Sequence, residues 1–370
     1  MKYYIIAGEA SGDLHASNLI KEIKKLDPSA EIRCWGGELM EEAGGTIAKH
    51  YRDLAFMGFL EVILNLGTIL KNISFCKKDI LEFKPDTLVF IDYPGFNMRI
   101  AKWAKKANIK THYYISPQIW AWKENRIKAI KRDVDHMHVI LPFEKDFYEK
   151  KHNFPVNFVG HPLIDAISQH PKTDDVLFRN EFKLDERPII ALLPGSRKQE
   201  ITKMLNNMLQ LPTEYPEFQF IIAGAPNQET SFYQSMIKAD NVKLISNRTY
   251  DILSLAHSAI VTSGTATLET ALFKIPQVVC YKANSISYAI AKRLVNLKYI
   301  SLVNLIMDKP IVTELIQDDF TVENLKKEFD IICKGYDRAV MFLEYYDLEH
   351  ALGNNGASKN TADVIVNSLK

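Results

Sequence analysis

The sequence predicts an α/β protein with two Rossmann-like halves, each built on a parallel sheet, and a helical tail. Short apolar segments bounded by Gly, Pro or Asp recur along the chain and alternate with helical hydrophobic periods, which is the order of parallel βαβ units. A polar stretch near residues 166–188 contains two prolines and shows no strand pattern. It divides the chain into predicted domains at 1–168 and 169–340. The tail at 341–370 is expected to pack back on the first domain.

Each predicted strand is a short apolar run that ends in a turn. The strands are 3–8, 31–37, 86–92, 111–116, 136–143 and 157–162 in the first half, and 188–196, 218–224, 241–246, 258–264 and 276–282 in the second. Helical periods fit 14–25, 100–106, 201–210, 267–273 and 286–297. Strand patterns cease after residue 309, so the end of the chain is predicted to be helical.

Composition and charge exclude several classes of protein. With 370 residues, of which 47% are hydrophobic, the chain can bury a large core in two domains. The 46 basic and 45 acidic side chains leave a net charge of +1, so no overall field attracts nucleic acid. The four cysteines lie far apart without a CxxC pair, which argues against disulfides or a cysteine zinc site and favours a reducing cytoplasm.

The longest apolar stretch covers residues 54–70. Glu61 and Asn65 interrupt it, so it falls short of a clean membrane span. A helix with a broad apolar face and a narrow polar stripe can lie on a bilayer surface. The other interpretation is a buried core helix, and both remain open.

The first predicted strand runs into GEASGDLHA, residues 8–16, at the sheet edge where Rossmann-like folds bind ligands. The segment lacks the GxGxxG pattern, and no acid follows the second strand, so a dinucleotide site is disfavoured. Its small and polar residues fit either a substrate contact or a tight turn with a helix cap: Gly8, Glu9, Ser11, Gly12, Asp13 and His15.

Asp92 stands at the carboxyl end of the third predicted strand, in the segment IDYPGFN. A carboxylate at this edge of a sheet can accept a proton. Asp92 or Asn97 can instead simply cap the next helix, as such residues often do. Position at the ligand edge favours a functional role.

Basic and aromatic residues interleave between residues 102 and 132. This stretch carries nine Lys or Arg against a single acid, Glu124, and includes the segment YYISPQIWAW. It fits an amphiphilic anionic partner, or a solvated helix face with extended lysines.

Two strand ends in the second half predict a site for a diphosphate. One is LLPGSRKQE, where Arg197 precedes a helix, so that backbone amides, helix dipole and guanidinium meet one anion. The other is TSGTATLE, where Ser263, Gly264 and Thr265 precede a helix that carries Glu269 one turn inside. Glu269 could accept the ribose hydroxyls of a nucleotide. Two ordinary capped helices are the alternative.

A metal site is not predicted. Asp133 and Asp135 spell DxD, but between a basic helix and a strand this short motif lacks its usual structural context. His136 and His138 lack a third ligand and are interpreted as structural.

Eight segments, in order over most of the chain, resemble the lipid A disaccharide synthase family: GEASGDLHA, IDYPGFN, YYISPQIWAW, LPFE, VGHPL, LLPGSRKQEI, TSGTATLE and SLVNLI. One departure is Val303, which stands where a proline is expected before Asn304. The resemblance implies a GT-B fold, two domains facing across a cleft, in an enzyme of Gram-negative bacteria. It also implies inverting transfer of 2,3-diacylglucosamine from UDP to the 6-hydroxyl of 2,3-diacylglucosamine 1-phosphate, giving a β-1,6 disaccharide and UDP.

The resemblance implies that Asp92 is the family's essential aspartate and Arg197 its essential arginine. We expect Asp92 to be the base, with His15 as the runner-up. The donor side is expected to comprise Ser196, Arg197, Glu200, Ser263, Gly264, Thr265, Ala266, Thr267, Glu269 and Asn304. The acceptor side is expected to comprise Gly8, Glu9, Ser11, Gly12, Asp13, His15, Asn97, Ser116, Gln118 and Trp122.

The acyl chains of such substrates give residues 54–70 a possible role. The residues expected to touch the cytoplasmic leaflet of the inner membrane are Phe56, Met57, Phe59, Leu60 and Ile63. We expect a peripheral, cytoplasmic enzyme, a homodimer, and no metal or other cofactor.

Three alternatives share the scaffold. Two are enzymes, a UDP-N-acetylglucosamine 2-epimerase and a peptidoglycan-type N-acetylglucosaminyltransferase, and neither accounts for IDYPGFN together with ISPQIWAW. The third is a lipid-binding or nucleotide-binding protein without catalysis, which would bind a UDP-sugar and not turn it over.

Overall fold

The computed structural model describes residues 1–54, 66–226, 228–284, 288 and 297–370, and the chain divides into two compact units. The first unit comprises Met1–Ala166 and Leu352–Lys370, and the second comprises Ile167–Ala351. The predicted tail at 341–370 is therefore shared between the units, and only its last part belongs with the first.

The first unit contains a seven-stranded parallel sheet in the order β3-β2-β1-β4-β5-β6-β7. Its strands are β1 (Lys2–Ala7), β2 (Glu31–Gly36), β3 (Thr46–His50), β4 (Thr87–Ile91), β5 (Lys110–Tyr114), β6 (His136–Val139) and β7 (Asn157–Phe158). The helices are α1 (Ala10–Leu26), α2 (Glu38–Glu42), α3 (Leu66–Phe83), α4 (Pro94–Lys106), α5 (Ile127–Asp133), α6 (Pro142–Asp146) and α7 (Pro162–Ser168). Short helical turns lie at Tyr51–Leu54, Glu124–Arg126 and Phe147–Lys151.

Both faces of this sheet are buried, as expected for parallel strands covered by helices. Alternate residues of β1 point to opposite sides. Tyr4 and Ile6 join one core with Trp35 and Phe90, whereas Tyr3 and Ile5 join the other. Nearly continuous apolar runs therefore form the central strands.

The end of the chain returns to this first unit. After α15 (Tyr336–Ala351), helix α16 (Ala357–Asn367) packs against α1, and Ala362, Ile365 and Val366 enter the core on that side of the sheet. The carboxylate of Asp165 accepts hydrogen bonds from the backbone N–H groups of Gly356 and Ser358 at 2.6 and 2.9 Å. These bonds satisfy amides that begin α16 and have no partner within the helix.

The second unit contains a six-stranded parallel sheet in the order β10-β9-β8-β11-β12-β13. Its strands are β8 (Ile189–Leu193), β9 (Gln219–Gly224), β10 (Val242–Ser246), β11 (Ala256–Thr262), β12 (Gln277–Tyr281) and β13 (Glu314–Ile316). Besides α15, its helices are α8 (Asp175–Phe182), α9 (Lys198–Met208), α10 (Thr230–Gln234), α11 (Thr249–Leu255), α12 (Thr265–Leu272), α13 (Leu302–Met307) and α14 (Val322–Lys334). A short helical turn lies at Gln317–Asp319.

The two parallel sheets and the helical C-terminal region confirm the predicted fold class. Two strands were not predicted. β3 has five residues and β13 three, and both lie at sheet edges, where half-buried sequences show no continuous apolar run. The expectation that strands cease after residue 309 is wrong because β13 pairs with β12. Most of the helix predicted at 286–297 lies outside the described residues.

The described part of the chain contains no helix that combines the length and the apolar character needed to cross a membrane. The residues predicted to touch a membrane, Phe56, Met57, Phe59, Leu60 and Ile63, lie outside the described residues.

Candidate active site

In the first unit, the candidate site lies where the strand order reverses. β1 pairs with β2 on one side and with β4 on the other, so the connections after β1 and β4 run to opposite halves of the sheet. Doubly wound sheets bind ligands at such a switch point, beyond the carboxyl ends of the strands. The loop after β1 carries Gly8 and Glu9, and the loop after β4 carries Asp92.

The backbone at Asp92 has an unusual conformation. Asp92 and Tyr93 have φ angles of 43° and 48°, in the left-handed region that residues with a side chain seldom adopt. The N–H of Asp92 donates to the carbonyl of Tyr114 at 3.0 Å. Its carbonyl accepts from the Tyr113 hydroxyl at 2.6 Å and from Nδ2 of Asn97 at 2.8 Å. Strain of this kind, on the order of 1–3 kcal/mol per residue, persists only where the surroundings fix it, and it is typical of functional sites.

Asn97 is fully buried in the first turn of α4. Its amide also reaches the carbonyl oxygens of Ile91 and Ile6, at 3.3 and 3.4 Å. The predicted contact of Asn97 with the acceptor stays a prediction. The described contacts indicate a structural role for Asn97, because its amide holds the backbone that carries Asp92.

Tyr93 was not predicted as a site residue. Its ring lies against Gly8, where an added Cβ would come within 2.3 Å of the ring. Only glycine allows this approach, which brings the loops after β1 and β4 together. A tyrosine directly after the aspartate was the available signal, but the contact depends on the register of two strands distant in sequence.

The carboxyl group of Asp92 has a raised pKa. The residue is exposed, but the surrounding protein withdraws water from its carboxyl, and with the negative charge of Glu9 this raises its pKa to about 6. A backbone N–H bond from Tyr93 opposes the shift. Near neutral pH the carboxylate therefore predominates, with a higher proton affinity than an ordinary aspartate has.

His15, the runner-up base, is half-buried in α1, and desolvation lowers its pKa to about 4, opposed by the charge of Asp165. Within the described residues its Nδ1 has no hydrogen-bond partner. Its imidazole is neutral near pH 7, but it binds a proton less tightly than Asp92. Asp92 thus has the higher proton affinity of the two, and its role as the base stays a prediction.

Other residues on the predicted acceptor side are divided between the surface and the core. Ser11, Gln118 and Trp122 are exposed, and Trp122 keeps 46% of its surface in solvent. Lys123 places its ammonium 4.2 Å from the centre of the Trp122 indole ring. Asp13 is buried, and its Oδ1 accepts the N–H of Gly37 at 2.7 Å, so this carboxylate already serves the start of α2.

Ser116 contacts a residue that was not predicted, Glu144. The buried carboxylate of Glu144 accepts from the Ser116 hydroxyl at 2.5 Å and from Nε1 of Trp120 at 3.2 Å. It also accepts the N–H groups of Ile140 and Leu141. Burial raises the pKa of Glu144, and these donors oppose the shift. Glu144 thus ties the aromatic loop after β5 to the start of α6.

The second unit has its own switch point, between β8 and β11. A pocket of about 480 Å³ opens there, within the size range of sites for small ligands. Most of the predicted donor side lines it, namely Ser196, Arg197, Glu200, Ser263, Gly264, Thr265, Ala266 and Glu269. Sequence analysis missed the lining residues at the end of β9, Ala223, Gly224, Ala225 and Pro226, together with Thr249.

Arg197 is the N-cap residue of α9 and is exposed. Across the described part of the chain its guanidinium makes no hydrogen bond or ion pair. Glu200 folds back, so that Oε2 accepts the N–H of Ser196 at 3.3 Å and lies where a Cβ on Gly195 would be, 2.2 Å away. Gly195, with φ of 98°, permits this turn.

The start of α12 supplies the opposite wall of the pocket. Ser263 donates its hydroxyl to the carbonyl of Ile300 at 2.9 Å, and Gly264 and Thr265 are exposed. Thr267 is buried and bonds the carbonyl of Gly264, so it acts within the helix.

Asn304 does not line this pocket. Its amide is already committed, because Nδ2 donates to the carbonyl of Val312 at 2.8 Å and Oδ1 accepts the N–H of the same residue at 2.9 Å. Nδ2 also reaches Oε1 of Glu314 at 3.0 Å. Its contact with a donor stays a prediction. The structure gives Asn304 a structural role, linking α13 to the edge strand β13.

Glu269 lies one turn inside α12, as predicted, and Tyr250 is its partner. The Tyr250 hydroxyl donates to Oε1 of Glu269 at 2.9 Å. Burial raises the pKa of Glu269, and this hydrogen bond opposes the shift. Tyr250 was missed because it precedes Glu269 by 19 residues and only the packing of α11 beside α12 brings the two together.

The two aspartates of the DxD sequence, Asp133 and Asp135, have partners within the protein. Asp133 pairs with Arg132 at 2.5 Å, and Asp135 pairs with Lys105 at 2.5 Å and accepts the N–H of Thr111. Among the residues that the structure describes, no group of three or more His, Cys, Asp or Glu is arranged to hold a metal ion.

The sequence was compared with protein families and with known relatives. The family model described as lipid-A-disaccharide synthetase matches residues 3–359. The chain belongs to the lipid-A-disaccharide synthetase family. Lipid-A-disaccharide synthases of Coxiella burnetii strain CbuG_Q212 and Geobacter metallireducens are 39% and 37% identical to it. Each alignment covers 99% of this chain, and 98% and 96% of the respective relative.

Solved structures support the fold of this family member. A UDP-GlcNAc 2-epimerase from Neisseria meningitidis superposes with a TM-score of 0.66 at 16% identity, covering 100% of this chain and 99% of the epimerase. The glycotransferase of kitacinnamycin superposes with a TM-score of 0.69 at 11% identity, with the same coverage. At such identities the likeness shows the GT-B fold alone. As a member of this family, the chain is a glycosyltransferase that forms the lipid A disaccharide.

Proposed function

We propose that this enzyme joins UDP-2,3-diacylglucosamine to 2,3-diacylglucosamine 1-phosphate, with Asp92 as general base and Arg197 as the main stabiliser of departing UDP. The observation that carries the assignment is the pocket between β8 and β11. There two helix starts and the Arg197 guanidinium, which has no hydrogen bond or ion pair among the described residues, meet the half-buried carboxylate of Glu269. A cation beside backbone amides suits a diphosphate, and a carboxylate one turn away suits a ribose.

The transfer is a displacement with inversion. The carboxylate of Asp92 takes the proton of the acceptor 6-hydroxyl while the oxygen attacks the anomeric carbon of the donor. A bond forms between this oxygen and carbon as the bond from the carbon to the diphosphate oxygen breaks, and the electron pair leaves with UDP. The raised pKa of Asp92, about 6, suits a general base: the carboxyl is ionised at neutral pH before the reaction, and it binds the acceptor's proton more tightly than an ordinary aspartate does.

Negative charge that develops on UDP is met by fixed groups of the second unit. The guanidinium of Arg197 and the N–H groups at the starts of α9 and α12 are donors that need little reorganisation. These groups supply the positive potential that a divalent ion provides in other transferases, so we propose that no resident metal takes part.

We also propose that the enzyme docks on the cytoplasmic leaflet of the inner membrane. The docking surface would consist of residues 54–70 and the remainder of helix α3. The described part of α3 supports this, because Leu70, Phe75 and Leu81 are 63, 44 and 57% exposed, with exposed Lys71 and Lys78 beside them. Apolar side chains bordered by lysines suit an anionic bilayer surface. Replacement of Phe56, Phe59 and Leu60 by Ser should weaken binding to phosphatidylglycerol vesicles. Unchanged binding of a folded variant would rule the docking out.

The transfer itself is tested by incubating the protein with both diacylglucosamine substrates and measuring free UDP and disaccharide. We expect equal amounts of the two products. Asp92→Asn and Arg197→Ala should each lower kcat by about 100-fold or more, the usual effect of removing a base or a transition-state donor. Asp146→Asn, which alters only an exposed pair with Lys150, is the matched control.

The same assay, run in parallel with UDP-N-acetylglucosamine in place of the diacylated donor and without acceptor, separates the alternatives. A 2-epimerase would convert UDP-N-acetylglucosamine without an acceptor, and a binding protein would hold UDP-sugar without releasing UDP. If Asp92→Asn and Arg197→Ala kept full activity, their assigned roles would be wrong even with the family correct.

A further inference from the structure

We propose that Tyr250 is a positioning residue of the donor site. Its hydroxyl holds the Glu269 carboxylate so that the free oxygen accepts hydrogen bonds from the ribose of a uridine diphosphate, which makes the pocket prefer ribonucleotides to 2′-deoxyribonucleotides. The inference rests on the proposed donor site in the second unit.

The surroundings of Glu269 leave its carboxylate short of donors. In the described residues Glu269 has one hydrogen-bond partner, the Tyr250 hydroxyl at 2.9 Å, and no ion pair. Glu269 is half-buried, and of the roughly four acceptor positions that its two oxygens offer, the Tyr250 hydroxyl occupies one. The vacant positions open on the pocket that Glu269 lines. A vicinal diol supplies two donors to such a group.

The direction of the hydrogen bond is fixed. Burial, with the nearby charge of Glu269, raises the pKa of Tyr250, so its hydroxyl stays protonated and donates. One carboxylate oxygen is thereby engaged from the protein side, and the other is left for the ligand. Without the hydroxyl, the side chain of Glu269 would be free to rotate towards solvent or towards the start of α12.

The ring of Tyr250 is itself held in place. His170 packs edge-on against it with ring centres 5.5 Å apart at 87°, and Phe273 packs at 5.2 Å and 59°. His170 is anchored in turn by Oδ1 of Asp251 at 3.2 Å. Few positions of the hydroxyl are compatible with these contacts, so Tyr250 supplies a fixed donor.

The spacing along α12 suits a nucleoside diphosphate. Glu269 follows Thr265, the first residue of the helix, by four residues, or about 6 Å along the axis. An anion at the helix start therefore places the adjoining sugar of the same ligand beside Glu269. Phosphate and ribose are adjacent in UDP, whereas a free phosphate would leave Glu269 without a partner.

Calorimetric titration with UDP and with 2′-deoxy-UDP tests this role in the intact chain. Tyr250→Phe should weaken UDP binding by about tenfold, the worth of a lost hydrogen bond to a charged group. Binding of 2′-deoxy-UDP should change much less, so the preference for UDP shrinks. Glu269→Gln should shrink it as well. Because Tyr250 acts through Glu269, Tyr250→Phe added to Glu269→Gln should have little further effect.

Tyr345→Phe is the matched control, since Tyr345 is a buried tyrosine of the same unit and does not line the pocket. It should leave both affinities unchanged. Phe273→Leu, which loosens the ring of Tyr250 and keeps its hydroxyl, provides a second variant and should reduce the preference in the same direction.

Equal losses for UDP and 2′-deoxy-UDP in Tyr250→Phe, or effects of Tyr250→Phe and Glu269→Gln that simply add, would overturn the positioning role while the donor site stands. If the unaltered chain did not bind UDP at all, the donor site itself would be wrong, and this inference with it.

Discussion

Nδ2 of Asn97 lies 2.8 Å from the carbonyl oxygen of Asp92, and this contact helps to hold a strained backbone at the end of β4. Asn97→Ala removes donors from three carbonyl oxygens, so the Asp92 loop should relax. We expect kcat to fall at least tenfold with a smaller change in KM, and the free energy of unfolding to fall by about 1–3 kcal/mol. Steady-state kinetics and urea unfolding measure both effects.

Asn360→Ala is the control for this prediction. Nδ2 of Asn360 also donates to a backbone carbonyl in the first unit, that of Val159 at 3.0 Å, but away from Asp92. Asn360→Ala should lower the free energy of unfolding and leave kcat unchanged. A normal kcat in Asn97→Ala would show that the Asp92 loop does not depend on this amide.

The raised pKa of Asp92 predicts the acid limb of the pH profile. A base works when ionised, so kcat/KM should be half-maximal near the Asp92 pKa of about 6, approach its full value about one pH unit higher, and fall at lower pH. Glu9 raises this pKa by its negative charge. Glu9→Gln should therefore move the midpoint to lower pH, and Glu22→Gln, at a half-buried position of α1 where the carboxylate pairs with Lys25, should not. An unmoved midpoint in Glu9→Gln would mean that another group sets the limb.

Gly8→Ala should disturb the active-site loop directly. The added Cβ would lie 2.3 Å from the Tyr93 ring, so the ring and the adjoining Asp92 must shift. We expect a loss of activity of more than tenfold and destabilisation by about 1–3 kcal/mol, as for overpacking in a core. Gly95→Ala is the comparison, because its Cβ meets no atom within 4 Å. Equal activities of the two variants would contradict the proposed packing.

Buried histidines should make the first unit sensitive to acid. His138 is fully buried against His112 and His136, and desolvation lowers its pKa to about 3, well below the ordinary 6.5. The folded state favours neutral His138, so its contribution to stability is full above pH 6.5 and is lost as the pH falls towards 3. Like charges on His136 lower the pKa further.

We expect the melting temperature to fall between pH 6.5 and 4, and His138→Phe to make that fall less steep. His350→Gln, at an exposed position, should leave the slope as in the unaltered chain. Identical slopes in His138→Phe and the unaltered chain would exclude His138 as a source of acid sensitivity. Thermal unfolding followed by circular dichroism at several pH values gives these slopes.

Local sequence was enough to predict the central strands and the helices that follow them. The apolar runs of β1, β4, β8 and β11 are long enough to show burial on both faces, and a turn that contains Gly follows each. Because the carboxyl ends of parallel strands share one edge, most of the donor-side residues could be assigned to one site before their contacts were known.

Partner choice could not be predicted in this way. Tyr93 against Gly8, Tyr250 against Glu269 and Glu144 under Ser116 join segments separated by 19 to 85 residues, and each contact depends on strand order and helix packing. The edge strands β3 and β13 were not predicted because they lack the apolar run that a strand buried on both faces shows.

The sequence by itself determined the α/β class, the position of Asp92 at a strand end, and Arg197 and Glu269 at helix starts. These follow from local hydrophobic periodicity and from turn chemistry. Tertiary structure decided which side chains hold them. Asn97 and Tyr113 fix the backbone of Asp92, and Tyr250 fixes the carboxylate of Glu269. The amide of Asn304 is committed to Val312 and to Glu314 of β13. A hydrogen bond needs both partners within about 3 Å, and only the packed sheets bring residues far apart in sequence to that distance.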